Sequence, residues 1–210
     1  MPSRQIPKGI FIGFGLVAVL FLVLYFILSA YNRPAADDFY FLGAVQQKGI
    51  WNTALDAYNI WITRWSTLLF LGAIIKLFHA GQSLLWFQIF TLAILALGSG
   101  LVIRKMILLK YHARPGTWLT ILYSLIFTTS FFLLSFSTGE TWFWYTSVCM
   151  YLWPLIVFVF GVYLLLTPEI KPMYSLTLFL CFLFTGGGSE VVALESLLFQ
   201  NHVAVVRVHE

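Results

Sequence analysis

Two adjacent carboxylates, Asp37 and Asp38, stand in the stretch NRPAADDFYF (residues 32–41), directly behind a long apolar segment. A carboxylate pair can share one proton, coordinate a divalent cation, or supply a general base. It can also simply cap a helix, because an Asp ahead of FYFLGAV would satisfy free backbone donors. Neighbouring residues on one short element cannot both aim at a single atom unless the backbone there is irregular. One of the two is therefore expected to be structural.

The rest of the chain says where such a pair must sit. Its 210 residues are 60% hydrophobic and 19% aromatic but only 10% charged, with a mean hydropathy of +0.90. A soluble domain carries about 25% charged residues. This chain cannot cover a water-facing surface, so it belongs in a bilayer. Its apolar runs approach the length that crosses about 30 Å of hydrocarbon. Backbone groups in lipid must be satisfied within the segment, which dictates α-helices. A barrel would need short alternating strands. The expected fold is all-α and polytopic, with about five to six transmembrane helices. The net charge of +4 and pI of about 9.1 come from basic residues in short loops, with no basic face or RNA-binding signature, so nucleic acid is excluded as a partner. Cys149 and Cys181 have no metal-ligand spacing, and neither a disulfide nor a redox compartment follows from them.

Residues 9–31 form the first span, and Arg4 and Lys8 ahead of it argue for a cytoplasmic N-terminus. A cleaved signal peptide is the rival, but the run is too long for a signal h-region and Leu28 spoils the A-x-A pattern. Pro34 ends this helix. Residues 32–65 then form the longest stretch with polar content, with Asp37, Asp38, Lys48, Asp56 and Arg64 amid many aromatics. Leu55, Tyr58 and Trp65 recur at helical intervals, which predicts amphipathic helices lying along the interface. Further spans are expected at 83–103, 118–136, about 151–166 and 173–185. The basic stretch 104–115 and the aromatic stretch 137–150 read as loops. The segment 201–210, with its alternating VAVVRV, reads as a short strand or a frayed tail. No internal repeat or linker divides the chain, so residues 1–210 read as one transmembrane domain.

Topology turns on residues 66–78, which are short for a span. If 58–78 crosses the bilayer, the basic 104–115 stretch falls outside, against the positive-inside rule. If 66–78 is re-entrant or interfacial, that stretch is cytoplasmic and 32–65, 137–150 and 186–190 share the outer side. The second arrangement is preferred, and it gathers Asp37, Asp38, Arg64, Glu140 and Glu190 at one face. Ionisable groups at membrane depth are costly and usually line a polar cavity. Each has a plainer reading: a snorkelling arginine, a loop carboxylate, and an interfacial aromatic belt for Trp142, Trp144 and Tyr145.

The order of motifs resembles the membrane glycosyltransferases of the GT-C superfamily. Ala36-Asp37-Asp38-Phe39 follows a first span. Tyr58, Trp61 and Arg64 come next, then Gly139-Glu140-Thr141 with Trp142 to Trp144, Tyr151-Leu152-Trp153-Pro154, and Gly188-Ser189-Glu190. The chain is similar to a bacterial branch of that superfamily, from which Thr63 departs by replacing a glycine expected before Arg64. The resemblance covers Ala36 to Glu190 and implies an acidic pair in a first extracytoplasmic loop that also holds interfacial helices. It implies transfer of a sugar from a polyprenyl-phosphate donor to a hydroxyl of a glycan, lipid or protein acceptor, outside the inner (cytoplasmic) membrane. Asp37 aligns with the catalytic base or acceptor-orienting carboxylate, and Asp38 would support it. Arg64, whose planar fork suits phosphate oxygens, would face the donor phosphate. Glu140, Trp142, Trp144 and Glu190 would bind substrate. Some GT-C enzymes use a divalent cation such as Mg or Mn and others do not; in this chain it would fall to Asp37 and Asp38. Members are usually about twice this length, so the chain is expected to represent an N-terminal portion of the fold, which can be inactive as a fragment.

The competing class is a non-catalytic polytopic protein: a small transporter, flippase or assembly subunit. A transporter would carry its ionisable groups in mid-span beside broken helices and internal repeats. The acids here fall at span ends. TGGGSE (185–190) lacks the lysine of a phosphate-binding loop, so its glycines are expected to end a span or admit close helix packing.

Overall fold

With no water to satisfy them, the backbone groups of the apolar runs pair within their own segments. The computed structural model describes residues 8–78, 84–135, 137–167, 172–194 and 198, which leaves the 201–210 segment outside. Every regular element among the described residues is helical. They are α1 (Lys8–Tyr31), α2 (Asp37–Ile60), α3 (Trp65–Leu77), α4 (Leu85–Tyr111), α5 (Thr117–Leu134), α6 (Tyr145–Ser147), α7 (Trp153–Leu165) and α8 (Pro172–Gly186). Two π-helical turns, Gly139–Phe143 and Val148–Leu152, flank α6. Four segments are long and apolar enough to cross a membrane: Ile12–Tyr31, Leu85–Tyr111, Thr117–Leu134 and Tyr145–Leu165. Their outward faces are apolar, as at Leu16, Leu20 and Leu24 of α1, and suit lipid rather than water. The protein is a polytopic helical membrane protein.

The helices depart from the sequence reading in three places. The basic stretch is not a loop up to Pro115, because α4 continues through Arg104, Lys105 and Lys110 to Tyr111. Residues 139–152 are wound as π- and α-turns, so the last long span begins at Tyr145 rather than near 151. α8 has 15 residues, a rise of about 22 Å, which falls short of the hydrocarbon thickness.

Side-chain contacts show which helix ends meet. The Tyr25 hydroxyl of α1 reaches the Gln88 backbone carbonyl and Oε1 of α4, both at 3.1 Å, so the end of α1 lies beside the start of α4. Phe132, near the end of α5, packs on Tyr25 with ring centroids 6.0 Å apart. Trp153 Nε1 donates to Thr91 Oγ1 at 3.1 Å, and Gly98 faces Phe160, so α4 and α7 run parallel. α8 returns antiparallel, with Gly161 against Phe182 and Gly188 against Pro154. Residues 32–38, 137–153 and 184–190 therefore meet at one end of the bundle. The basic end of α4 lies at the other.

The kinked helix α2 and the short helix α3 cover the first of these ends. A straight helix would hold Phe41 and Trp61 about 30 Å apart. Instead their rings stack at 5.9 Å with an interplanar angle of 2°. The reversal occurs at Gly49, where φ is 79° and ψ 172°. Asn52 Nδ2 and Thr53 Oγ1 donate to the Lys48 and Gly49 carbonyls at 3.1 and 2.8 Å, which satisfies acceptors freed by the turn. α3 then starts against the 185–188 turn, and beyond its far end Phe78 packs on Phe87, two residues into α4. Both ends of α3 thus meet the same end of the bundle. Gly49→Ala is expected to cost about 1–3 kcal/mol, because that φ/ψ region is open essentially to glycine alone. A drop in the unfolding midpoint of the purified protein checks it, and an unchanged midpoint refutes it.

Candidate functional site

Asp38 is consumed by the fold. It is 0% exposed, and its Oδ1 accepts the Thr146 backbone N–H at 2.8 Å and the Thr146 hydroxyl at 2.6 Å. Its Oδ2 accepts the Ala35 N–H at 2.9 Å. Three donors on one buried carboxylate tie the start of α2 to α6, and they are charge-assisted bonds of the strong kind. They also hold the preceding residue in an unusual state: Ala36 has φ 43° and ψ −114°, which costs of order 1–3 kcal/mol for a residue with a Cβ.

Asp37 differs in every respect. It is half-buried at the first position of α2, and no described residue bonds or pairs with its carboxylate. The N-terminal end of the helix dipole favours its charge. The expectation that the two acids cannot share one task agrees with this geometry. Both residues lie in helical backbone at the start of α2, where successive side chains point about 100° apart, so the two carboxylates meet separate surroundings.

Arg64 sits in the turn between α2 and α3. Its Nε and Nη2 donate to Glu190 Oε2 at 3.2 and 3.0 Å, and its Cζ lies 4.6 Å from the centroid of the Tyr151 ring. Burial alone would lower the Arg64 pKa, but Tyr151 and Glu190 outweigh it and hold the pKa above its ordinary value. Glu190 lies below the usual carboxylate range, held there by its own backbone N–H and by Arg64. The depressed Glu190 pKa means that the pair stabilises the fold above the ordinary carboxylate pKa. That contribution is lost as pH falls through the lowered value. Unfolding midpoints measured from pH 7 to 3 should show a wild-type advantage over Glu190→Gln that vanishes at the acid end. Parallel curves would contradict the pairing.

Two of the three glycines of TGGGSE, Gly187 and Gly188, serve close approach. A Cβ on Gly187 would strike the Trp65 ring, and one on Gly188 would stand 2.7 Å from Thr67 Cγ2. Ser66 donates through its N–H to the Gly187 carbonyl at 3.3 Å and through Oγ to that of Phe184 at 2.7 Å.

Glu140 lies exposed on the rim of a cleft of about 330 Å³, shared with Arg33, Ala35, Ala36, Phe143 and Trp144. Asn32 Nδ2 donates to the Phe143 carbonyl at 2.8 Å and closes one wall. The cleft adjoins the acidic pair, since Ala35 and Ala36 immediately precede Asp37. Trp144 lines it, with a buried indole N–H that has no partner among the described residues. Trp142 does not line it. That ring is 0% exposed, packs on Tyr25, Phe131 and Phe132 at centroid distances of 6.0, 5.7 and 5.3 Å, and donates its N–H to Ser135 Oγ at 3.0 Å. Trp142 is a core residue in this arrangement, and no face of it is open to a sugar.

A divalent cation finds a poor donor set here. Both Asp38 oxygens are taken by protein donors, and among the described residues no three His, Cys, Asp or Glu side chains converge. Thr146 and Tyr151 escaped the reading of the sequence as anchors of Asp38 and Arg64. Thr146 lies 108 positions from its carboxylate, and no local pattern marks such a pair. Compared with models of protein families, with curated proteins and with solved structures, the chain matches none.

Proposed function

We propose that this protein is a membrane glycosyltransferase of the GT-C kind. It would move a sugar from a polyprenyl-phosphate donor to an acceptor hydroxyl on the extracytoplasmic side of the cytoplasmic membrane. The observation that carries the reading is the division of labour in the acidic pair. Asp38 is spent on Thr146 and Ala35, while Asp37 is half-buried with no partner among the described residues and directly follows Ala35 and Ala36, which line the Glu140–Trp144 cleft. Arg64 and Glu190 lie at the same end of the bundle, opposite the basic end of α4, which the positive-inside rule would assign to the cytoplasm. On this reading α2 and α3 lie along the outer interface.

Asp37 acts as general base. It takes the proton of the acceptor hydroxyl as that oxygen bonds to the anomeric carbon and the carbon–oxygen bond to the phosphate breaks. The departing polyprenyl phosphate keeps the electron pair, and Arg64 stabilises its charge. Glu140 binds sugar hydroxyls in the cleft, and the Trp144 ring packs against the sugar. Trp142 acts only by positioning the 139–145 turn. No step is assigned to a metal.

The test is transfer of labelled sugar from a polyprenyl-phosphate donor in membranes carrying the chain, against membranes carrying Asp37→Asn. Transfer by the wild type and its loss in the variant support the reading. No transfer from the wild type favours a portion of the fold that is inactive alone or a non-catalytic membrane subunit, and transfer that survives the substitution removes the role of Asp37.

A further inference from the structure

The Arg64–Glu190 ion pair is lopsided. The Arg64 side chain is 19% exposed and that of Glu190 66%. The carboxylate can leave into water at little cost, whereas the guanidinium stays over the Tyr151 ring. The backbone around Glu190 does not depend on the pair. Ser66 holds the Phe184 and Gly187 carbonyls, Thr67 Oγ1 reaches that of Gly188 at 3.5 Å, and both glycines are seated under α3 side chains. The Glu190 side chain can therefore swing away while the turn stays in place.

We infer that Glu190 is a built-in counter-ion that occupies an anion site at Arg64, and that a phosphate group displaces it. The Nε and Nη2 edge now given to Glu190 is the same two-pronged edge that phosphate oxygens take. A guanidinium packed on the Tyr151 ring and left without any anion gives up its charge-assisted hydrogen bonds. A tethered carboxylate covers it between ligands and sets a threshold that only a more highly charged group overcomes. This deepens the reading of Arg64 as the donor-phosphate residue. Binding is measured without sugar transfer, so failure of one leaves the other standing.

The test uses the full chain in a phosphate-free maltoside detergent, titrated with dioctanoyl phosphatidic acid, with inorganic phosphate, and with dioctanoylglycerol as the chain-only control. Glu190→Gln and Glu190→Ala should each bind phosphatidic acid about fivefold more tightly than the wild type, the factor that about 1 kcal/mol of lost ion pairing corresponds to. Arg64→Gln should lose this binding, and dioctanoylglycerol should show no gain. A matching gain with inorganic phosphate assigns the site to phosphate alone; a gain confined to phosphatidic acid assigns it to a lipid headgroup. Both support displacement. Equal or weaker binding by the folded Glu190 variants, or wild-type binding by Arg64→Gln, overturns it and leaves Glu190 as a structural clamp.

Discussion

Asp38→Ala is expected to destabilise the protein by about 2–3 kcal/mol, because it orphans two buried donors at about 1 kcal/mol or more each and a third that is partly buried. The donors are the Thr146 N–H and hydroxyl and the Ala35 N–H. Loss of the anchor also releases the strained Ala36 turn and separates the start of α2 from α6. Asp38→Asn should fall between wild type and Ala. Its amide oxygen can keep the Thr146 donors, but its NH2 group then faces the Ala35 N–H, donor against donor. Unfolding midpoints of the three proteins in one detergent should rank wild type, Asn, Ala. An Ala variant as stable as the wild type would refute the anchoring role.

Asp37→Asn should do the opposite. On the proposed mechanism it lowers sugar transfer by about 10²–10⁴-fold, the usual worth of a positioned general base. Its effect on stability should stay below about 1 kcal/mol, since it loses only an interaction with the helix dipole. The Asn side chain is nearly the same size and breaks no bond to any described residue. Asp38→Asn makes the same change at the adjacent residue, so comparing it with Asp37→Asn controls for local disturbance. If Asp37→Asn lowered the unfolding midpoint as much as Asp38→Ala, Asp37 would be structural and the division of labour would fail.

The acidic pair shows where sequence reasoning reaches its limit. Adjacency alone implied that one carboxylate serves the structure, because neighbouring side chains on a helix point apart. Which of them it is depends on Thr146, brought in by the packing of α6 on α2. Trp142 and Trp144 read alike as interface aromatics two positions apart. The π-helical turn ending at Phe143 and the extended Trp144 place one in the core and the other on a cleft. Gly49 lay in a stretch read only as interfacial helix, and its positive φ folds that stretch back on itself.

Composition and apolar run length determined a helical membrane protein, since they report the local preference of each segment for lipid over water. The distribution of Lys and Arg led to the expectation that Asp37, Asp38, Arg64, Glu140 and Glu190 share one side; in the structure Asp38 meets Thr146 and Arg64 meets Glu190. Tertiary structure alone decided the partners: Asp38 with Thr146, and Arg64 with a Glu190 that lies 126 positions away. Hydropathy carries no information about such pairs. They exist because packed helices bring particular side chains within 3 Å, and that depends on rotation and register across the whole bundle.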